Sequence, residues 1–310
     1  MASVEVHTEL PSGVRSDVIA FVERATDRMG RRPLPDQLWL DLIQGSRPRT
    51  IEVIARDHDA LVGYAQASPT ADGWTLGLVL DADDALDTVG RAMVLAAVEA
   101  VASDGGGLVH WWHGHTPGSA AAADIASIGA SVGLTHERSL FEMRAALPVP
   151  GDAHATPTRA FRLGEDEAAW LEVNNAAFAG HAEQGGWDLA TLQQRESEPW
   201  FEPEGFRLHE RDQRLAGFCW TKINRAQDPT LGEIYVIGVH PDFHGLGLGR
   251  GLTLAGLDSM VARGVTTGML YVDEHNDAAV GLYRSLGFTV HRTDRALAGE
   301  IAPSIRSEEP

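Results

Sequence analysis

The feature that most constrains the fold of this chain is a stretch of alternating glycines, His244–Gly251, which reads HGLGLGRG. An apolar run, Ile234–Val239, precedes it, and apolar residues at helical spacing follow it. A strand, a glycine loop and a helix start, in this order, present main-chain N–H groups and the positive end of a helix dipole to an anion. Glycines permit that approach because no Cβ stands in the way. The stretch therefore predicts an anion-binding turn at the end of a strand.

Two common phosphate-binding patterns do not fit this turn. A Walker loop needs Gly-Lys before Ser or Thr, and the only lysine of the chain is Lys222. The dinucleotide pattern G-x-G-x-x-G fails in both frames, since the sixth place holds no glycine. The pattern R/Q-x-x-G-x-G/A fits, with His244 first and then Gly247 and Gly249. The turn thus resembles the pyrophosphate loop of the GCN5-related N-acetyltransferases (GNATs), with His in place of the usual Arg or Gln.

A second segment strengthens this resemblance. Asn276–Phe288, NDAAVGLYRSLGF, is similar to the N-x-x-A-x-x-L-Y-x-x-L-G-F segment of the same superfamily, in the same order along the chain. The resemblance implies that acetyl-CoA is the co-substrate. The residues that it implies for binding acetyl-CoA in this half are Ile237, Gly238, Val239, His244, Gly245, Leu246, Gly247, Leu248, Gly249, Arg250, Asn276, Asp277, Ala278, Ala279, Val280 and Gly281.

Charge and cysteine content exclude several classes of partner. The formal net charge is -19, which opposes binding to nucleic acid or to an anionic membrane. Cys219 is the only cysteine, so a disulfide framework is excluded and a reducing compartment is favoured. No signal peptide or apolar run of membrane-spanning length is visible. We therefore expect a cytoplasmic, monomeric protein that acts on a small molecule and holds no metal.

The two halves of the chain repeat each other. Each half reads as a helix, a hairpin, a strand, an amphipathic helix and a further strand. The pairs that match are Leu61 with Leu215 and Gly133 with Gly287, both 154 residues apart, and Gly90 with Gly249 and Trp112 with Tyr271, both 159 apart. Because the offset changes only in loops, the pattern indicates a duplicated domain.

The predicted fold class is α/β (α+β), with two tandem GNAT domains, each a mixed, mostly antiparallel central sheet flanked by helices. We assign residues 1–147 to a degenerate N-terminal domain and residues 161–302 to a catalytic C-terminal domain. Residues 148–160 form a Pro-rich linker, and residues 303–310 form a polar tail.

The first copy has lost the glycine loop. Its counterpart is Ala85–Gly90, ALDTVG, where a single glycine remains and Asp87 opposes an anion. We expect at most a remnant of an acyl-CoA cleft in this half, beside Leu78, Val79 and Leu80, which complete the candidate cofactor-binding residues.

Tandem domains with a decayed first copy resemble one GNAT family, the mycothiol synthases. Val173–Gly185, VNNAAFAGHAEQG, is similar to that family's VN-x-x-AF-x-x-H-x-EQG signature. The resemblance implies acetylation of the cysteinyl amine of a glucosamine–inositol conjugate, the last step in making mycothiol. It implies Glu233 as general base and Tyr283 as general acid. The candidate residues for binding the acceptor are Asp36, Glu183, Lys222, Glu233 and Tyr271; the signature supports Glu183, and Lys222 is a candidate as the only lysine of the chain.

Two other functions remain open at this point. One is a tandem acetyltransferase for a different amine, such as an aminoglycoside or a protein N-terminus. The other is a non-catalytic sensor of acyl-CoA, which the joint presence of loop, base and acid disfavours. In a purely structural interpretation, Glu233 is a solvated residue at the start of a strand and Tyr283 is a packed helix aromatic.

Overall fold

The computed structural model describes residues 2–29, 31–45, 48–70, 73–82, 85–150, 155–179, 184–225 and 230–304. Contacts within the chain define two compact units. The first consists of Met1–Leu140 with Arg292–Pro310, and the second of Phe141–His291. Among the described residues, no helix combines the length and the apolar character needed to cross a membrane.

The first unit is a mixed sheet between two layers of helices. Its strands run in the order β1-β2-β3-β4-β5-β12, and neighbouring strands are antiparallel except β4 and β5, which are parallel. The strands are β1 (Ser3–His7), β2 (Ile51–Asp57), β3 (Ala60–Thr70), β4 (Gly73–Leu80), β5 (Gly107–His115) and β12 (Thr289–Ile301). The helices are α1 (Ser12–Met29), α2 (Asp36–Gln44), α3 (Arg91–Ser103) and α4 (Ala121–Ser131).

Both faces of this sheet are buried, as the apolar runs of β2 to β4 require. Tyr64 and Val79 pack against side chains of α1 and α2 on one face. Val53 and Leu76 pack with Met93 and other side chains of α3 and α4 on the opposite face. The strands therefore hold the two helix layers apart and form the centre of the core.

The second unit has the same layered architecture. Its strand order is β7-β8-β9-β10-β11-β6, with β10 and β11 parallel. The strands are β6 (Thr135–Ala146), β7 (Arg159–Ala160), β8 (Phe206–Arg211), β9 (Arg214–Asn224), β10 (Leu231–Val239) and β11 (Thr267–Asp273). The helices are α5 (Glu167–Ala177), α6 (Leu189–Glu196), α7 (Leu248–Ala262) and α8 (Asp277–Ser285).

The two faces of the second sheet differ in composition. The face that meets α5 and α6 is aromatic, with Trp170 in edge-on contact with Phe206, Phe218 and Trp220. The face that meets α7 and α8 is mainly aliphatic and includes Leu252. The aromatic face also carries Lys222, whose Nζ lies above the ring of Trp200.

The duplication predicted from sequence is confirmed by the element order. β3 (60–70) and β9 (214–224) have the same length and lie 154 residues apart. The helices before each hairpin and the strand and helix after it also correspond. The predicted fold class, tandem GNAT-like α/β units with mixed, mostly antiparallel strands flanked by helices, is therefore confirmed.

Part of the closing strand of each unit comes from the other half of the sequence. Residues 292–301 of β12 belong to the first unit, and residues 141–146 of β6 belong to the second. Leu297 and Ile301 of β12 are buried in the core of the first unit. Met143 and Ala145 of β6, followed by Leu147, are buried in the core of the second. The division expected from sequence, 1–147 and 161–302, assigns residues 141–147 to the first domain and residues 292–302 to the second, whereas the contacts within the chain group them with the opposite unit. Pairing between strands far apart in the sequence decides which unit these residues join, and no local sequence pattern predicts it.

Candidate active site

A β-bulge interrupts β10 in the middle of the candidate site. Glu233 pairs with Lys222 of β9 and Ile234 pairs with Thr221, but the next pairing joins Val236 to Trp220. Tyr235 is thus the extra residue, and every later side chain on β10 is turned to the opposite face. Val236 consequently packs in the aromatic core.

Beyond the bulge, β10 separates from its parallel neighbour β11. The described pairing between the two strands ends at Ile234 and Leu270, although β10 continues to Val239 and β11 to Asp273. The β11-facing backbone groups of 237–239 lie outside that ladder, where an extended ligand can form hydrogen bonds with them. The predicted cofactor residues Ile237, Gly238 and Val239 occupy this segment.

The glycine loop follows directly and is open. A short 3₁₀ turn, Pro241–Phe243, leads into Gly245 and Gly247, which have φ values of 78° and 71°. These left-handed conformations require glycine, and a Cβ at either position would meet no atom within 4 Å. α7 begins at Leu248, so the N–H groups of its first turn have no acceptor within the helix. Loop and helix start together have the backbone geometry with which proteins bind anions.

Two predicted cofactor residues fasten this loop to its surroundings. His244 donates from Nε2 to the carbonyl of Val239 over 3.0 Å, which ties the loop to the end of β10. Arg250 donates from Nη1 to Oγ of Ser285 over 2.8 Å, which ties the first turn of α7 to α8. Leu246 is exposed at the tip of the loop. The His that replaces the usual Arg or Gln therefore has a structural role of its own.

The second motif forms α8. Asn276 caps this helix, since its Oδ1 accepts a hydrogen bond from the N–H of Ala279 over 3.1 Å. Val280 is buried in the core, whereas Asp277, Ala278 and Gly281 are exposed. The cap and the buried side fix the helix, and the exposed side remains for a ligand.

The first unit shows what happens when the loop decays. Its counterpart is a π-helical turn, Leu86–Gly90, that runs directly into α3. A Cβ on Gly90 would lie 3.1 Å from side-chain atoms of both Leu80 and Leu86. A Cβ on Gly249, the matching residue, would lie 4.0 Å from its nearest neighbour, Leu282. Leucines thus fill in the first unit the space that is open in the second.

The candidate residues of this decayed half are mainly core residues. The side chains of Leu78 and Val79 are buried in the core, and Leu80 is packed against it. Asp87 receives a hydrogen bond from Nε of Arg91 over 3.2 Å. A role of 78–80 in acyl-CoA binding stays a prediction.

Glu233 lies in a position suited to a general base. It is partly buried and sits opposite Lys222 on the neighbouring strand. Burial raises the pKa of the Glu233 carboxyl group above its ordinary value, although the charge of Lys222 and a hydrogen bond with the Asn224 side chain oppose that rise. A carboxylate with a raised pKa can take a proton from an ammonium group near neutral pH.

Aromatic side chains surround the lysine that faces Glu233. The Nζ atom of Lys222 lies 4.9 Å from the ring centre of Trp200 and 5.9 Å from that of Tyr235. Nε of Arg195 donates to the hydroxyl of Tyr235 over 3.1 Å. Sequence reasoning did not single out Trp200, Tyr235 or Arg195. The only available signal was the density of aromatic residues between 187 and 235.

Tyr283 has the protonation state that a general acid requires. It lies on α8, is largely buried, and packs against Phe288 with ring centres 6.0 Å apart. Burial raises the pKa of its phenol, so the hydroxyl keeps its proton at neutral pH. Cys219 is fully buried and burial raises the pKa of its thiol to about 12, which excludes it as a nucleophile near pH 7.

The remaining acceptor candidates have different outcomes. Tyr271 is exposed on β11, two residues after Met269, the partner of Glu233, so it lies on the same face as that base. Asp36 is the first residue of α2, but its side chain lies outside what the structure describes. Glu183 also lies outside the described residues. Within the described part of the chain, no group of three or more His, Cys, Asp or Glu residues could hold a metal ion.

Comparison with known proteins identifies related sequences over nearly the whole length. The profile of the acetyltransferase (GNAT) family matches residues 168–288. The mycothiol acetyltransferase of Thermobispora bispora is 41% identical over 294 residues, which cover 93% of this chain and 96% of that protein. That of Thermomonospora curvata is 42% identical, with 90% and 91% covered. That of Streptomyces avermitilis is 40% identical, with 94% of each chain covered.

Solved structures share the fold at low sequence identity. A GCN5-related N-acetyltransferase from Sphaerobacter thermophilus superimposes with a TM-score of 0.68 at 18% identity, covering 97% of both chains. A tandem GNAT protein from the clavulanic acid biosynthesis pathway gives a TM-score of 0.62 at 17% identity, covering 98% of this chain and 100% of that one. Both likenesses extend over the two units.

Proposed function

The chain belongs to the mycothiol acetyltransferase family of GNAT enzymes, and from that membership we propose the reaction and the residues that perform it. The protein transfers the acetyl group of acetyl-CoA to the cysteinyl amine of 1D-myo-inositol 2-(L-cysteinylamino)-2-deoxy-α-D-glucopyranoside. The observation that carries this proposal is the place of Glu233, one residue before the point where β10 leaves β11. A base at the head of an open strand edge can meet an amine beside a bound thioester.

The acyl donor is held by main-chain groups. When bound, acetyl-CoA supplies an activated acetyl thioester. The N–H groups of the glycine loop and the first turn of α7 receive its pyrophosphate, and Ile237, Gly238 and Val239 pair with its pantetheine arm. A backbone N–H of this segment polarises the thioester carbonyl. Local donors are necessary because the protein's net charge of -19 repels an anion at longer range.

Glu233 removes the proton that prevents the amine from attacking. The pKa of an α-ammonium group is about 7.7–8.0, so most of the acceptor is protonated at pH 7. A base must accept this proton before the amine attacks. The raised pKa of Glu233 brings the base closer to that of the ammonium group. The proton passes to this carboxylate directly or through one water molecule.

Tyr283 completes the transfer by protonating the departing thiolate. Its buried hydroxyl is neutral near pH 7 and can donate. Direct attack by the amine forms one amide bond and breaks one thioester bond, so no acyl-enzyme is required, consistent with the inert thiol of Cys219.

The side chains beside Glu233 are suited to a polyhydroxylated acceptor. Lys222 and Tyr271 share its face of the sheet and offer hydrogen bonds to sugar or inositol hydroxyl groups. Asp36 and Glu183 remain proposed ligands of the same acceptor. The single buried thiol suits a reducing compartment, so we place the enzyme in the cytoplasm. We also propose that it acts as a monomer.

The test is a direct assay of the full-length protein. It is incubated with acetyl-CoA and the cysteinyl conjugate, an aminoglycoside or a peptide with a free N-terminus, in parallel reactions. Mass spectrometry should find one added acetyl group on the conjugate, and resistance to hydroxylamine should identify it as an amide rather than a thioester. Faster acetylation of the aminoglycoside or peptide would contradict the acceptor. Tight acetyl-CoA binding without transfer to any amine would favour a sensor.

A further inference from the structure

The only lysine of the chain is enclosed by aromatic rings. Lys222 Nζ lies above Trp200 at 4.9 Å and above Tyr235 at 5.9 Å. These distances lie within the range at which a ring face attracts a cation. Trp200 is itself fixed, since its ring centre is 5.0 Å from that of Tyr235 and 5.9 Å from that of Trp220. The ammonium group therefore lies above two rings that pack against each other and against Trp220.

This arrangement depends on the bulge of β10. Lys222 pairs with Glu233, so their side chains are neighbours across the strands on one face of the sheet. Tyr235 is the inserted residue, and its ring meets Trp220 on the same aromatic face, 5.3 Å between centres. The bulge thus brings a ring beside the lysine that faces the candidate base.

Several polar groups surround Glu233, and they act in different directions. On β9, the charge of Lys222 and the side chain of Asn224 favour its ionised form. On β6, Glu142 opposes ionisation, although Arg144 is paired with it at 2.6 Å.

The groups near Tyr235 complete this environment. The hydroxyl of Tyr235 is bonded to Arg195 of α6, and Glu198 lies close enough to act on the tyrosine electrostatically. Among the described groups around Glu233, Lys222 is the cation that acts on the carboxyl group most strongly.

We propose that Trp200 and Tyr235 are positioning residues that hold the Lys222 ammonium beside the Glu233 carboxyl group, and so keep that carboxyl group available as a base near neutral pH. This inference rests on the proposed function, because it assumes that Glu233 accepts the amine proton. It adds a role for two aromatic residues that do not carry out proton transfer themselves.

Removing a ring beside Lys222 should change how kcat/KM depends on pH. A lysine without a ring to cover it turns toward water, where its charge is hydrated and screened. Glu233 would then keep its proton to a higher pH. The acid limb of the kcat/KM profile should therefore move upward by roughly one pH unit, the lower end of the effect of a neighbouring charge.

The first experiment compares such profiles in the full-length enzyme. Trp200→Leu should shift the acid limb upward, Trp200→Phe should shift it less, and Lys222→Gln should shift it at least as far as Trp200→Leu. The double variant should match Lys222→Gln alone. The acceptor's own ammonium group titrates identically in all reactions, so differences between variants report the enzyme.

Phe201→Leu is the matched control. Phe201 packs against Phe161 and Trp220 in the same aromatic cluster, and no contact with Lys222 is recorded for it among the described residues. The Phe201→Leu substitution should lower the melting temperature without moving the acid limb of the kcat/KM profile. An equal shift in Phe201→Leu and Trp200→Leu would overturn the proposal, because it would show a general effect of loosening the core.

The second experiment uses the single lysine as a spectroscopic probe. In protein labelled with ¹³C-lysine, the side chain gives one set of Cε–Hε signals, and the rings should shift them upfield. Trp200→Leu should remove that shift. The same signals should show a titration step that disappears in Glu233→Gln, with a midpoint that rises in Trp200→Leu.

The outcomes separate this inference from the function on which it rests. If Glu233→Gln keeps the wild-type acid limb, Glu233 is not the base, and the catalytic role proposed for it fails while acetyl transfer itself is still measured by the product assay. If Glu233→Gln removes the limb but Trp200→Leu leaves both the limb and the lysine signals unchanged, the base is correct and the positioning role is wrong.

Discussion

The guanidinium group of Arg250 donates a hydrogen bond to the hydroxyl of Ser285 over 2.8 Å. Arg250 lies in the first turn of α7 and Ser285 in the last turn of α8. These helices carry the two sequence motifs that resemble the GNAT superfamily, so the motifs meet in space. The open glycine loop therefore has α8 beside it, and a ligand at the loop can touch both.

Gly249→Val should abolish tight acetyl-CoA binding without unfolding the protein. The backbone at 249 is helical and a Cβ there has its nearest neighbour at 4.0 Å, so the protein can accommodate the side chain. The added methyl groups would occupy the space of the pyrophosphate, with an affinity loss of about 100-fold or more. Calorimetry measures this, and Gly13→Ala, at another open glycine of a helix, serves as the control. Unchanged acetyl-CoA affinity in Gly249→Val would show that the glycine loop does not bind the pyrophosphate.

Glu233→Gln should lower kcat by about 100-fold or more, because general-base catalysis typically contributes that much. Activity should partly recover above pH 8 or so, where free amine is present without a base. Steady-state rates across pH measure both effects. A variant with wild-type rates at every pH would exclude Glu233 as the base.

Tyr283→Phe should reduce kcat while acetyl-CoA affinity stays nearly constant. The ring keeps its packing against Phe288, and only the hydroxyl that protonates the thiolate is lost. Rapid-quench measurement of the chemical step, with a parallel binding titration, separates the two quantities. A loss of affinity equal to the loss of rate would indicate a binding role instead.

The same Glu233→Gln variant should also change how stability depends on pH. The pKa of Glu233 is raised above its ordinary value of 4.5 in the folded protein. Its contribution to folding is therefore full below the unfolded pKa and is lost as pH rises through the folded pKa. Glutamine stays neutral at every pH. The melting temperature of Glu233→Gln, compared with that of the wild type, should therefore rise as the pH increases from the unfolded to the folded pKa of Glu233. Glu99→Gln, on the exposed side of α3, is the control, and parallel curves for both variants would contradict the expectation.

Residues 141–291 expressed alone should fold, whereas residues 161–302 should not. The fragment 161–302 begins after Met143, Ala145 and Leu147, which are buried in the core of the second unit. At about 1.5–3 kcal/mol for each large buried side chain, the loss approaches the total stability of a domain, about 5–15 kcal/mol. Near-ultraviolet circular dichroism and urea unfolding distinguish the fragments. Equally cooperative unfolding of both would show that residues 141–160 are dispensable for folding.

Much of the candidate site was readable from sequence because it is local. The strand, the glycine loop and the helix start follow one another within 231–262, and their chemistry depends on residue types at short spacing. The duplication was equally readable, since it repeats the order of elements. The signature around Glu183 lies partly outside the described residues, so its role remains a prediction.

The structure corrected what depends on distant pairing. The apolar run Ile234–Val239 does not reveal which face each side chain takes, because the bulge at Tyr235 reverses the alternation and its position depends on pairing with β9. The two rings beside Lys222 come from separate segments, and no spacing rule connects Trp200 or Tyr235 with a lysine on β9.

The sequence by itself determined the family, the two similar units and the residues able to bind an anion and to move a proton. Tertiary structure alone decided which unit receives each closing strand. β6 and β12 both complete a sheet of the same architecture, so their local patterns suit either unit. Burial of Leu297 and Ile301 in one core, and of Met143 and Leu147 in the other, makes the choice through packing between residues far apart in the chain.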